Sequence, residues 1–179
     1  QEGVGRVKAI IQDLKDYART NAATHYVASD IQVGLKSTLN IARNQLKNRA
    51  DVRLELGNLP LVECAPSQID QVFLNLIVNA AQAMPEGKMG LIDIRTHCDD
   101  TQVWVEVQDN GPGIAPEILK KIFDPFFTTK DPGTGTGLGL SVSQNIIQQH
   151  GGTLTVDSTV GVGTTFKITL PIKRPAAKG

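Results

Sequence analysis

The 179-residue chain has no excess charge of either sign: 18 basic residues are matched by 18 acidic ones. That balance removes any electrostatic argument for binding nucleic acid or an anionic membrane. Cysteine is scarce. Cys64 and Cys98 stand singly in apolar or strand-like surroundings and read as reduced packing residues in a reducing, cytoplasmic setting. No run approaches the ~20 apolar residues that span a bilayer. Gln1 is not an initiator and no signal-peptide pattern follows it, so the chain reads as a soluble piece of a longer protein. The two common phosphate loops are also missing: no glycine precedes a Lys-Ser or Lys-Thr pair, and no window reads Gly-x-Gly-x-x-Gly. Length itself excludes little, because folding a chain of this size buries roughly 70% of its unfolded surface without a metal or disulfide staple.

What is present falls into three parts. Residues 2–19 read as an amphipathic helix, with Val4, Val7, Ile11, Leu14 and Ala18 in the a/d rhythm of a coiled-coil seam and Ile10 and Tyr17 widening it. Such a stripe calls for a partner helix before Gln1, a second copy of the chain, or the main domain itself. The main domain is expected over 23–172, after a partial helical unit at 1–22 and before a polar tail at 173–179. Within it, residues 26–29 suggest a short strand. Asp30 is a candidate N-cap for a helix to about Asn48 carrying Ile31, Leu35, Leu39, Ile41, Ala42 and Leu46. Strands are expected at 52–56, 91–96 and 102–108, with a turn at Gly57-Asn58 leading to Leu61-Val62 and a closing hairpin at 153–156 and 165–170. A second helix should start at Pro66, capped by Ser67 and Asp70, and run to Met84. This order favours an α/β (α+β) two-layer sandwich over a doubly wound sheet.

Chemistry concentrates in the glycine blocks. Asp109-Asn110-Gly111-Pro112-Gly113 ends an alternating apolar strand. A carboxylate there, beside glycines that admit close backbone approach, suits a polar group on a flat base. Gly133-Thr134-Gly135-Thr136-Gly137-Leu138-Gly139-Leu140 opens a helical pattern, where exposed amides attract phosphate. Asn75 and Asn79 lie one turn apart on one helix face. Their amide oxygens could serve Mg²⁺, which takes few protein ligands beside nucleotide phosphates; a solvated polar stripe would look the same.

Taken in order, the segment from Asn75 to Ala80, the Asp109 block, Phe123-Asp124-Pro125-Phe126-Phe127, the Gly135–Leu140 loop and Gly161-Val162-Gly163-Thr164-Thr165-Phe166 resemble five boxes of one family. They are similar to the N, G1, F, G2 and G3 boxes of the ATP-binding catalytic domain of bacterial sensor histidine kinases, a Bergerat-type fold. The resemblance spans about residues 26–172, and it makes the first helix look like the second helix of the dimerisation and phosphoacceptor hairpin. It implies a mixed sheet against three helices with ATP or ADP and Mg²⁺ between. Asp109 would bind the adenine amine, with Gly111 and Gly113 shaping that end. Asn79 would ligate Mg²⁺ and Asn75 would sit near the phosphates. Gly135, Gly137, Leu138 and Gly139 would offer amides to phosphate within a lid over 124–137, Lys130 would add a cation, and Thr165 would support the adenine pocket. One departure is Gln82, where many members carry a basic residue.

Hydrolysing relatives of this superfamily place a glutamate where Asn75 stands. An amide cannot take a proton from water, so Asn75 argues for phosphoryl transfer to another acceptor; an ATPase or a nucleotide-binding switch is the alternative. The family acceptor histidine precedes an acidic residue. His25, His97 and His150 precede Tyr26, Cys98 and Gly151, and none qualifies. The acceptor is therefore expected before Gln1, on a hairpin of the same protein that dimerises and hands phosphate to a response-regulator receiver domain. This piece alone should bind ATP without labelling itself.

Overall fold

Asp30 starts the first helix as its sequence position suggests: the extended cap residue accepts a hydrogen bond from Gln32 N at 2.9 Å. The computed structural model describes residues 25–130 and 135–174. The expected helix at 2–19 and the tail beyond Arg174 lie outside the described residues. Helix α1 (Ile31–Leu46) buries Ile31, Leu35, Thr38, Ala42 and Leu46. Ile41, expected on that stripe, points outward and is 68% exposed, because the buried face repeats as i, i+4, i+7 and leaves position 41 on its rim. Asn48 takes a positive φ of 62° just past the helix and turns the chain into the strand that begins at Ala50.

The main sheet has five strands: β2 (Ala50–Leu56), β4 (Gly90–Cys98), β5 (Gln102–Asp109), β6 (Thr153–Thr159) and β7 (Gly163–Pro171), in the order β2-β4-β5-β7-β6. All neighbours are antiparallel except β2 and β4, which run parallel with Val52 opposite Ile92. A parallel pair needs a long crossover, and the segment holding α2 (Pro66–Ala83) supplies it. The expected turn at Gly57-Asn58 therefore does not join two partners. β3 (Val62–Cys64) leaves the main sheet and pairs antiparallel with β1 (Val27–Ser29), Val27 opposite Cys64. The Ser67–Asp70 capping pair is also absent. Ala65 is the cap residue, without a side-chain hydrogen bond, and Pro66 fills the first turn, where a missing N–H is harmless. Asp70 instead faces α1, so near Gly34 that a Cβ on that glycine would lie 2.0 Å from its Oδ1.

Helices α1, α2 and α4 (Gly139–Gln149) cover one face of the sheet; α3 (Pro116–Leu119) is a single turn between β5 and α4. Phe73, Leu76 and Ile77 of α2 and Ile146 and Ile147 of α4 meet Ile92, Ile94, Val103, Val105, Val107, Ile168 and Leu170 in one core. Each fully buried aliphatic side chain contributes roughly 1.5–3 kcal/mol of transfer free energy. Strand alternation turns the other set of side chains outward, where His97 stacks on Trp104 (5.1 Å) and Lys167 lies over the same ring. Both cysteines are free thiols, and burial pushes Cys64 up to about 11. No helix among the described residues is long and apolar enough to cross a membrane.

Candidate nucleotide site

The inward set of β5 is Val103, Val105, Val107 and Asp109, so period-two alternation drives a carboxylate into the helix layer at the strand's end. Asp109 is 5% exposed. Its Oδ1 accepts from Gly111 N at 2.8 Å. Burial pushes the carboxyl above the usual range, against the lowering effect of the Gly111 and Thr164 N–H groups. A Cβ at Gly111 would lie 2.9 Å from Asp109 Oδ1, so glycine keeps that tight return open. Gly113 has φ +73°, and a Cβ there would come 2.2 Å from the Thr159 carbonyl oxygen. Gly113 is thus required by its backbone conformation and close approach, whereas Gly111 is kept small by the Asp109 side chain.

The register sets Thr165 and its neighbour Thr164 on opposite faces of the sheet. Asp109 stands opposite Thr164, whereas Thr165 stands opposite Gln108. Residues paired across antiparallel strands share a face, so Thr164 points inward with Asp109 and Thr165 points outward with Gln108. Thr164 is buried, and its hydroxyl lies 2.8 Å from Ser158 Oγ. Ser158 Oγ donates to Gly163 O and accepts from Ile114 N, which leaves Thr164 as the donor of the shared bond. Sequence reading missed Thr164 and Ser158; the signal was the odd–even spacing from Phe166 back to Thr164.

Asn75 and Asn79 both sit half-buried on the α2 face beside the second glycine block. Asn75 Nδ2 donates to Gly139 O at 3.1 Å and to Ser143 Oγ at 3.2 Å, fastening α2 to the start of α4. A Cβ on Gly139 would meet the Asn75 amide at 3.6 Å, which is ordinary contact. Asn79 Oδ1 accepts from Lys130 Nζ at 3.1 Å, and the same ammonium donates to Gln82 Oε1. Burial lowers the Lys130 pKa. Leu138 is buried and anchors the glycine block against the core. Gly137 has φ +71° and its carbonyl accepts from Phe126 N at 3.0 Å, joining the block to the segment before it. Gly135 lies beside Thr128 and the Lys130 stem.

The chemistry of these donors fits Mg²⁺. An amide oxygen that already takes an ammonium can take a hard cation. Among the described residues no cluster of His, Cys, Asp or Glu could cage a metal, so phosphates and water would complete the shell. The two cavities described, about 430 Å³ over Trp104 and Lys167 and about 260 Å³ between Ser37 and Asp70, are lined by none of these residues.

A strand-end carboxylate, a helix bearing two asparagines and a glycine block at a helix start, arranged on a two-layer sandwich, define a nucleotide-binding class of domain. Residues 64–174 match the model of the histidine kinase-, DNA gyrase B- and HSP90-like ATPases, and the chain belongs to that family. It is 34% identical to sporulation kinase E of Bacillus subtilis over 96% of this chain and 23% of that protein. It is 46% identical to the sensor histidine kinase ZraS of Salmonella typhimurium over 75% of this chain and 29% of that protein. The catalytic domain of histidine kinase ThkA superposes with a TM-score of 0.74 at 33% identity, covering 84% of this chain and 97% of that one. ThkA in complex with the response regulator TrrA gives 0.77 at 29% identity, covering 95% and 48%. The chain spans about a quarter of the length of the curated relatives it matches.

Proposed function

We propose that this chain is the ATP-binding catalytic part of a two-component sensor histidine kinase. It delivers the γ-phosphoryl group to a histidine on a dimerisation hairpin outside the described residues, and that histidine supplies an aspartate on a receiver domain. Kinship with sensor kinases supports the reading, as does likeness to a kinase solved with its response regulator. The observation that carries it is Asp109: a buried carboxylate held at one strand end, with the Asn79–Lys130 pair and the glycine block forming a second polar cluster.

Each residue then has a task. Asp109 accepts from the adenine amine, and Thr164 steadies that end through Ser158. Amides at Gly135, Gly137, Leu138 and Gly139 meet phosphate oxygens, and Asn79 would hold Mg²⁺. When bound, that ion neutralises charge building on the transferred group. Asn75 has both amide hydrogens committed to Gly139 and Ser143, and no basic group stands in its place to deprotonate water. Transfer to an imidazole, itself a nucleophile, needs no such base.

Labelled ATP and Mg²⁺ given to this chain should leave no acid-labile label on it, and should label a separately supplied acceptor hairpin from the same full-length protein. Steady phosphate release with no acceptor present would instead make it a hydrolase.

A further inference from the structure

The described chain already carries a cation where the proposed site would take its metal. Lys130 Nζ donates to Asn79 Oδ1 at 3.1 Å and to Gln82 Oε1, two amides three residues apart on one face of α2. Two features aim the side chain there. Lys130 N donates to Thr128 Oγ1 at 3.1 Å, which fixes the base of the side chain in a local turn. The aliphatic stem runs beside Gly135, where a Cβ would lie 3.2 Å from Lys130 Cδ and 3.1 Å from Thr128 Oγ1. Among the described residues no carboxylate pairs with this ammonium. Amide oxygens satisfy its hydrogens without cancelling its charge, so the full positive charge remains available to an incoming anion.

We infer that Lys130 is a resident counter-cation that changes partners: it rests on the amides of Asn79 and Gln82 in the nucleotide-free chain and moves to a phosphate oxygen when nucleotide binds, with Gln82 serving to park it. This rests on the nucleotide reading above. Asn79 Oδ1 cannot hold an ammonium and a divalent ion side by side, because two cations a few ångströms apart repel strongly in a partly desolvated site. Lys130 must therefore leave Asn79 for Mg²⁺-nucleotide, whereas it can neutralise metal-free nucleotide directly. The lysine narrows the difference in affinity between the two forms of the ligand.

Two measurements on the chain test this. The first needs no nucleotide: amine acetylation of Lys130, read by mass spectrometry, should be several-fold faster in Gln82→Leu and Asn79→Ala than in the parent chain. Equal labelling would overturn the parked state. The second is calorimetric titration of ATP with Mg²⁺ and with chelator. Lys130→Met should weaken metal-free binding by about tenfold, the value of one charge-assisted hydrogen bond, and Mg²⁺-ATP binding by much less. Lys130→Arg should restore most of the metal-free affinity. Equal losses with and without metal, or no loss, would overturn the exchange. A parent chain that binds ATP in neither condition would instead remove the nucleotide reading, and the exchange with it, while the labelling arm still reports the contact. Thermal unfolding of each variant would verify that the fold is intact.

Discussion

Asp109 and Thr164 face each other at the ends of neighbouring strands β5 and β7, and both turn into the helix layer. Gly163 makes that pairing possible. Its φ is +144°, and a Cβ there would lie 2.0 Å from the Asp109 carbonyl oxygen. The hydroxyls of Thr164 and Ser158 continue the contact to Ile114, so the loop after the first glycine block and the last hairpin are tied together.

Thr164→Val should therefore cost about 1–2 kcal/mol, through the loss of a buried hydrogen bond, and weaken ATP binding. Thr165→Val, on the outer face, should change stability by less than about 0.5 kcal/mol and leave binding alone. Denaturant unfolding and ATP titration of the pair check the inward placement of Thr164 directly.

Asp109→Asn should lower ATP affinity by roughly 10–100-fold with the fold intact, since the amide presents a donor where the adenine amine also donates, leaving buried groups unpaired. The same carboxyl predicts opposite pH trends. Because burial raises its pKa in the folded chain, its contribution to stability is fully present below the unfolded value and is lost as pH rises through the folded one. Nucleotide binding needs the ionised acceptor, so affinity should fall as pH drops through that raised value, above the ordinary aspartate range. Titrations across pH beside unfolding curves would read the two trends separately.

Asn79→Ala should remove most of the Mg²⁺-dependent gain in ATP affinity and little of the metal-free affinity. A comparison of ATP titrations with Mg²⁺ and with chelator is the measurement. Equal losses in both would exclude the ligand role.

His150 holds the N-terminus of α2 from behind: its Nε2 accepts from Ala65 N at 3.0 Å, and Nδ1 donates to Ile146 O at 2.7 Å. Only the neutral ring can do both. Burial lowers its pKa, so its contribution is present above the unfolded value, near 6.5, and is lost as pH falls toward the folded one. His150→Leu should cost about 1–3 kcal/mol at neutral pH by orphaning the Ala65 N–H. It should also flatten the loss of stability on acidification, read from unfolding midpoints between pH 7 and the folded value.

The local signals were legible in the sequence wherever one short segment decided the outcome. Asp30 caps its helix, Pro66 opens the next, and Gly113 and Gly137 take positive φ hard against neighbouring backbone. Signals failed where the partner is distant. Nothing near Val52 announces a parallel neighbour in β4, and nothing near Cys64 announces β1, because those pairings are chosen by how helices cover the sheet. Ser67 and Asp70 had capping spacing, but the helix begins two residues too early for them to use it. The contact between Lys130 and Asn79 spans 51 positions, and no periodicity reaches that far.

The strand order also sets when a binding-competent molecule can exist. β5 lies between β4 and β7, and β7 is the last strand in chain order among the described residues. A chain still on the ribosome, or cut by a protease before Thr153, would carry Asp109 on a bare sheet margin with neither Thr164 nor Gly163 beside it. The carboxylate that the proposed site depends on is thus held in place only once the closing hairpin has formed.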